Sequence, residues 1–192
     1  MPKSVLFNES DVLRKVTQLF WSKGYNGTSM QDLVDISGLN RSSIYNSFGD
    51  KFNLYEKSLK YYQQLQQEKL TQYMGSNKSP RRQIVALFEA VAEEIINQNN
   101  ANGCFMSNCT TELANSNPRI HDFLVSNKKT MTDLFKGLIL QARREGEIDV
   151  RKDADELASY LFSSIQGLRV TGMLDDKKSD IQGIVKQVLS VL

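Results

Sequence analysis

The chain has 192 residues, of which 40% are apolar, and its 24 Lys/Arg against 22 Asp/Glu leave a net charge of +2. That is enough for one large domain or two small ones, and no apolar run approaches the ~20 residues needed to span a bilayer. Two cysteines do not make a disulfide scaffold, and the N-terminal stretch MPKSVLFNESD lacks a long apolar segment, so a cytoplasmic protein is expected.

Asn8 can cap a first helix over about Glu9–Lys23, whose apolar face is Val12, Leu13, Val16, Leu19 and Phe20 and which Gly24 ends. Thr28 and Gln31 read as a capping box, T-x-x-Q, ahead of Met30, Leu33 and Ile36. Gly38 supplies a turn, and Asn40 can cap a second short helix carrying Ile44, Tyr45 and Phe48. A long helix then runs from about Asp50 to Met74, with Phe52, Tyr55, Leu59, Tyr62 and Leu65 at helical spacing. Its second half is polar, as suits a helix that ties two parts of a chain together. Ser79-Pro80 opens the next helix by the cap-then-proline rule, with Ile84, Leu87, Phe88, Val91 and Ile95 facing a core. A polar loop over 97–103 precedes a short helix from about Cys104 to Ala114. Asn117-Pro118 starts a long helix that stops at Gly146, Asp153 caps another, and a last one begins near Ser179. Strand alternation and repeats are lacking. The pattern predicts an all-α fold of about nine helices.

Two short helices joined by a glycine-containing turn form the unit whose second helix enters the DNA major groove. Arg41 is the candidate for direct base reading, because its fork matches guanine O6 and N7. Ser42, Ser43 and Asn46 lie on or near the same exposed face, and Tyr45 can reach sugar and phosphate. Thr28 and Ser29, at a helix start, can offer hydroxyls and backbone N–H groups to phosphate, and Lys51 suits a phosphate contact. Capping by Thr28 and Asn40 and core packing by Tyr45 are the alternative roles. Charge does not by itself point to DNA: residues 1–60 carry 8 Lys/Arg against 6 Asp/Glu, and the remainder 16 against 16.

Gly24-Tyr25, then Thr28-Ser29, then the run Gly38-Leu39-Asn40-Arg41-Ser42-Ser43-Ile44-Tyr45-Asn46-Ser47-Phe48 and Lys51 closely resemble the DNA-binding domain of the TetR/AcrR family of bacterial repressors. The resemblance is strong over roughly residues 8–60. Gly103-Cys104, Glu145-Gly-Glu-Ile148 and Gln166-Gly-Leu168 look like the family's later helices. It implies a helix-turn-helix DNA-binding domain over 1–50 and a helical ligand-binding and dimerisation domain over 51–192, with 51–74 as the linking helix. It further implies a homodimeric repressor, bound to a palindromic double-stranded operator and released by a small-molecule inducer.

For a ligand pocket of that kind the candidates are Phe105, Met106, Asn108, Cys109, Glu112, Tyr160, Ser164 and Arg169. Cys104 and Cys109 admit two readings. Free cysteines are commonly small buried hydrophobes, whereas a thiol at a helix start can become a redox or electrophile sensor. Five residues along a helix set the two sulfurs about 140° apart around the axis, which makes an intrahelical disulfide awkward. Leu157, Leu161, Phe162, Ile165 and Leu168 cover more than one helix face, and with Ile184 and Val188 they are the candidates for a dimer interface. One histidine, His121, and two distant cysteines make no metal set. No phosphate loop, nucleophile elbow or paired carboxylate motif marks an enzyme or a cofactor site. Glu93-Glu94 and Asp175-Asp176 read as solvated charge. A helical adaptor without operator binding is the reading from another class.

Overall fold

The computed structural model describes residues 7–75, 78–98, 102–174 and 177–192. Among the described residues there are nine helices and no strand: α1 (Glu9–Lys23), α2 (Met30–Ser37), α3 (Arg41–Phe48), α4 (Lys51–Met74), α5 (Pro80–Gln98), α6 (Phe105–Leu113), α7 (Pro118–Arg144), α8 (Ala154–Thr171) and α9 (Lys178–Leu189). Asp175-Asp176 and residues 99–101 of the polar loop expected at 97–103 lie outside the described residues, and 97–98 belong to the end of α5.

Side-chain caps fix most of these boundaries. The Asn8 carboxamide oxygen accepts from the amides of Ser10 and Asp11, that of Asn40 from Ser43, and that of Asn117 from Ile120. Asp50 and Asp153 hold the first turns of α4 and α8 in the same way. One cap differs from its sequence reading. The box that opens α2 is Ser29 with Asp32, not Thr28 with Gln31. Thr28 is buried and donates its hydroxyl back to the Gly24 carbonyl at 2.7 Å, so it belongs to the preceding turn.

Two hydrophobic cores result. One lies among α5, α7, α8 and α9 and contains Phe88, Phe135, Ile139, Leu161 and Leu168. The other is built on Phe20, Leu33, Ile44, Leu54 and Tyr55, and is completed from far along the chain by Phe105, Cys109, Leu113 and Ile120. Tyr55 meets Phe20 edge-on with ring centroids 5.0 Å apart and Phe105 in the same way at 5.5 Å. Each fully buried ring contributes about 1.5–3 kcal/mol. The N-terminal helices α1–α4 thus rest on α6 and the start of α7.

The residues expected at a dimer interface sit largely within the subunit. Leu157, Leu161, Ile165, Leu168 and Val188 are buried in the subunit's own core, and Phe162 and Ile184 pack against it. The several apolar faces of α8 are covered by α5, α7 and α9. The face of α8 left open carries Tyr160, Ser163, Gly167 and Val170.

Candidate nucleic-acid interface and internal cavity

α3 turns Ile44 and Phe48 into the core and leaves Arg41, Ser42, Tyr45 and Asn46 exposed together on one face. Tyr45, 50% exposed, is not a core residue. Ser43 is half-buried, with its backbone N–H donated to the Asn40 side chain. A guanidinium, a phenol and small polar side chains therefore leave the first two turns of a helix, the part that meets base edges in a helix-turn-helix. Lys51 starts α4 with its ammonium 4.4 Å from the centre of the Tyr25 ring. Partial burial lowers its pKa, opposed by the charges of Glu112 and Asp32.

The start of α2 is less open than its sequence implies. Thr28 is 1% exposed and its hydroxyl is occupied, so it is withdrawn from phosphate. Ser29 is exposed, but its N–H and its hydroxyl both donate to Asp32 Oδ2, at 2.8 and 2.7 Å. Asp32 in turn accepts from Lys23 at 2.7 Å. The Lys23 contact, then the Ser29 amide and hydroxyl, hold that carboxyl well below the usual range.

α6 joins this reading head to the rest of the molecule. The Glu112 carboxylate accepts the backbone N–H groups of Tyr25 (2.9 Å) and Asn26 (2.7 Å), in the turn between α1 and α2. Gly24, at φ +74°, lies so close that a Cβ there would meet Glu112 Oε2 at 2.9 Å. On the other side of α1 the Trp21 indole donates to the Asn102 carbonyl at 3.0 Å, which also accepts from the Asn108 amide at 2.8 Å. Glu112 and Asn108, read from the sequence as ligand contacts, are thus engaged in holding the reading head and the approach to α6.

A cavity of about 450 Å³ opens between α4, α5, α6, α7 and α8. Met106 and Arg169 line it as expected, and so does Cys104. The six other candidates do not. Phe105 is packed between Tyr55 and Tyr62, Cys109 is fully buried, Glu112 and Asn108 are engaged as described, and Tyr160 is exposed on the outer face of α8. Ser164 donates to the Tyr160 carbonyl and is likewise outside the lining. Phe162 and Ile165, expected at a dimer contact, also line the cavity. Sequence reasoning missed Tyr62, Gln66, Met131 and Leu134. For Gln66 the signal was the run of glutamines on α4, polar residues on a helix that elsewhere turns apolar side chains inward.

The two cysteines differ. Cys109 has no exposure, and burial, reinforced by the Glu112 charge, pushes its thiol up to about 11. A protonated thiol without solvent access is a poor nucleophile, which argues against Cys109 as a sensor. The buried Tyr55 hydroxyl faces it and has no oxygen or nitrogen partner. Cys104 is the N-cap residue of α6, borders the cavity and receives the Tyr62 hydroxyl at 3.7 Å. Both thiols are free. His121 is exposed at the start of α7, and among the described residues no His, Cys, Asp and Glu gather as a metal set. No helix of the described residues is long and apolar enough to cross a membrane.

Known proteins share this architecture. Residues 13–57 match the family model described as bacterial regulatory proteins, tetR family, and residues 80–188 the one described as the tetracyclin repressor-like C-terminal domain. The chain is similar to an uncharacterized HTH-type transcriptional regulator, YezE, of Bacillus subtilis (strain 168), 26% identical over 100% of both chains. It is also similar to the HTH-type transcriptional repressor ComR of Escherichia coli (strain K12), 28% identical over 86% of this chain and 80% of that protein. Among solved structures, a cysteine-substituted TetR family transcriptional regulator, CifR, complexed with 26 bp operator DNA, has the same fold, with a TM-score of 0.86 at 19% identity over 98% of each chain. With both family models matched in order and the second alone covering more than half of the sequence, the chain belongs to the TetR family of bacterial regulatory proteins, the DNA-binding transcriptional regulators.

Proposed function

We propose that the protein is a homodimeric repressor that binds a palindromic operator and is released from it by a small organic ligand held in the cavity. Residues 1–50 form the reading head, 51–74 the link, and 51–192 the ligand-binding and dimerising part. One observation carries the coupling. At its first turn α6 lends Met106, with Cys104 just before it, to the cavity wall; near its end Glu112 holds the turn between α1 and α2. A ligand that displaces the start of α6 moves a carboxylate bonded directly to the reading head. Only a ligand with different affinities for the DNA-competent and displaced arrangements shifts the balance, by about 1.4 kcal/mol for each tenfold change.

A pair of reading heads suits half-sites about 34–36 Å apart. Selection of bound fragments from a random DNA library by the purified protein should therefore enrich an inverted repeat. Its half-site centres should be about 10 bp apart, or a multiple of that, and binding should weaken with salt. No enrichment at any salt concentration would leave the helical adaptor reading standing.

A further inference from the structure

The cavity has a chemical bias that depends on two cations and one carboxylate. Lys69 and Arg169 are its charged lining residues, and no Asp or Glu lines it among the described residues. Glu94 lies behind the wall, between them. Its Oε1 accepts from Lys69 at 2.6 Å and from the Tyr73 hydroxyl at 3.0 Å. Arg169 is served far less well. Its side chain is only 12% exposed, yet its hydrogen bonds, from Nη2 to Glu94 Oε2 and to Gln66 Oε1, are both 3.5 Å long, the outer limit of such a contact. A guanidinium offers five donors in a planar fork. Here a nearly buried cation borders an open volume with most of that capacity unused. Beyond it Leu87, Val91, Met131, Leu134, Phe162 and Ile165 give the cavity a mainly apolar wall, with glutamines of α4 and Asn127 at its polar part.

We propose that the ligand is an amphipathic organic monocarboxylate, whose carboxylate takes the Arg169 fork and whose apolar body lies against α5, α7 and α8. This rests on the reading of the cavity as the effector site. With the one Glu94 carboxylate shared between Lys69, held closely, and Arg169, held at the outer limit, the three groups carry a net charge of +1. A single carboxylate balances it with two parallel charge-assisted hydrogen bonds. A dianionic phosphomonoester would leave a negative charge in surroundings of low dielectric, and an ammonium would face Arg169 without a carboxylate of its own. A neutral amide could occupy the volume but would forgo the charge-assisted pair.

Trp21, the chain's one tryptophan, gives a readout that needs no DNA: its ring meets that of Tyr62 at 5.3 Å, and Tyr62 lines the cavity. The probes are ω-phenylalkanoates with two to eight methylenes, with the matching primary amides and amines, titrated into the full-length protein by calorimetry and Trp21 fluorescence. The best carboxylate should bind at least about tenfold more tightly than its amide, with the amine weakest. Arg169→Gln should weaken the carboxylate far more than the amide, so that the two bind about equally. Lys69→Gln, at a half-exposed position, frees Glu94 to close on Arg169, and should weaken the carboxylate several-fold while sparing the amide. This second variant decides the matter if Arg169→Gln does not fold. Equal or tighter binding of amide or amine, failure of every probe, or a carboxylate preference unchanged in the folded variants would overturn the proposal. Operator release is scored separately. A carboxylate that binds through Arg169 without releasing DNA sinks the effector reading alone, and neutral compounds that release DNA sink the carboxylate assignment alone.

Discussion

Arg41 and Tyr45 leave α3 on the side that Ile44 and Phe48 do not occupy, so their substitution changes the surface and spares the core. Arg41→Ala should cost about 1–3 kcal/mol of operator binding and relax preference at one base position. Fluorescence anisotropy on the selected operator and single-base variants, at fixed salt, checks this; unchanged affinity and preference in a folded variant would move the reading face elsewhere. Cys109 makes a prediction in alkaline solution. Its folded pKa, about 11, lies above its ordinary 9.0. Below pH 9 both states hold the proton and its contribution is complete. Between about 9 and 11 the unfolded chain gives up the proton first, so stability falls as pH rises. In Cys109→Ala the fall should begin only near 10, where tyrosines of the unfolded chain ionise while burial keeps Tyr55 protonated. Urea unfolding from pH 8 to 11 measures the onset, and identical onsets would refute the account. Ser29 shows what the sequence withheld at this scale. T-x-x-Q and S-x-x-D are offset by one residue, and both satisfy the capping pattern. The choice is made by the Gly24 carbonyl, which takes the Thr28 hydroxyl, a contact decided by how the α1–α2 turn folds back.

Helix by helix, the chain was readable because its punctuation is chemical. Asn8, Asn40, Asp50, Asn117 and Asp153 each cap where an Asx side chain precedes a periodic run, and Gly24 and Gly38 end helices where positive φ is needed. The cavity was not readable. Periodicity tells which face of a helix is turned inward, but not which of the other helices it meets, and this lining comes from five helices spread over most of the sequence. The two helix-ending glycines also differ in a way only packing reveals. At Gly38 a Cβ would meet nothing within 4 Å, so Gly38→Ala costs backbone strain alone, about 1–2 kcal/mol. At Gly24 the strain is joined by the Glu112 carboxylate. Gly24→Ala should therefore be the more damaging of the two, and should cost less in a Glu112→Ala background than in the wild type, because part of its penalty is the collision. Denaturant midpoints of the four proteins close that cycle; strict additivity would show that Glu112 does not press on the turn.

At the level of the whole molecule, apolar residues on several faces of α8 could have met either a second copy or the chain's own helices. The sequence cannot distinguish them, since both demand the same side chains. The subunit uses Leu157, Leu161, Ile165 and Leu168 itself. A second copy is left the outer face, where exposed Tyr160 and Val170 flank Ser163 and Gly167, and where a Cβ on Gly167, or on Gly183 of α9, would meet nothing within 4 Å. Small residues there let another backbone approach closely. Gly167→Arg should leave the subunit folded and turn a dimeric mass into a monomeric one in light scattering at micromolar concentration. A wild-type monomer, or a variant that remains dimeric, would count against that face.

The core beneath Phe20 and Tyr55 has a consequence for how far the DNA-reading part can be treated as a module. Its floor is Phe105, Cys109, Leu113 and Ile120, supplied after α4 has ended and α5 has intervened. A fragment ending with α4 would open those buried aromatic rings to water and orphan the two amides that Glu112 satisfies. The reading head is therefore not transplantable onto another effector domain by a cut after α4. α6 must travel with it, and with α6 the front half of α7, so that heat or denaturant melts the DNA-reading helices and the wall of the cavity in one cooperative step.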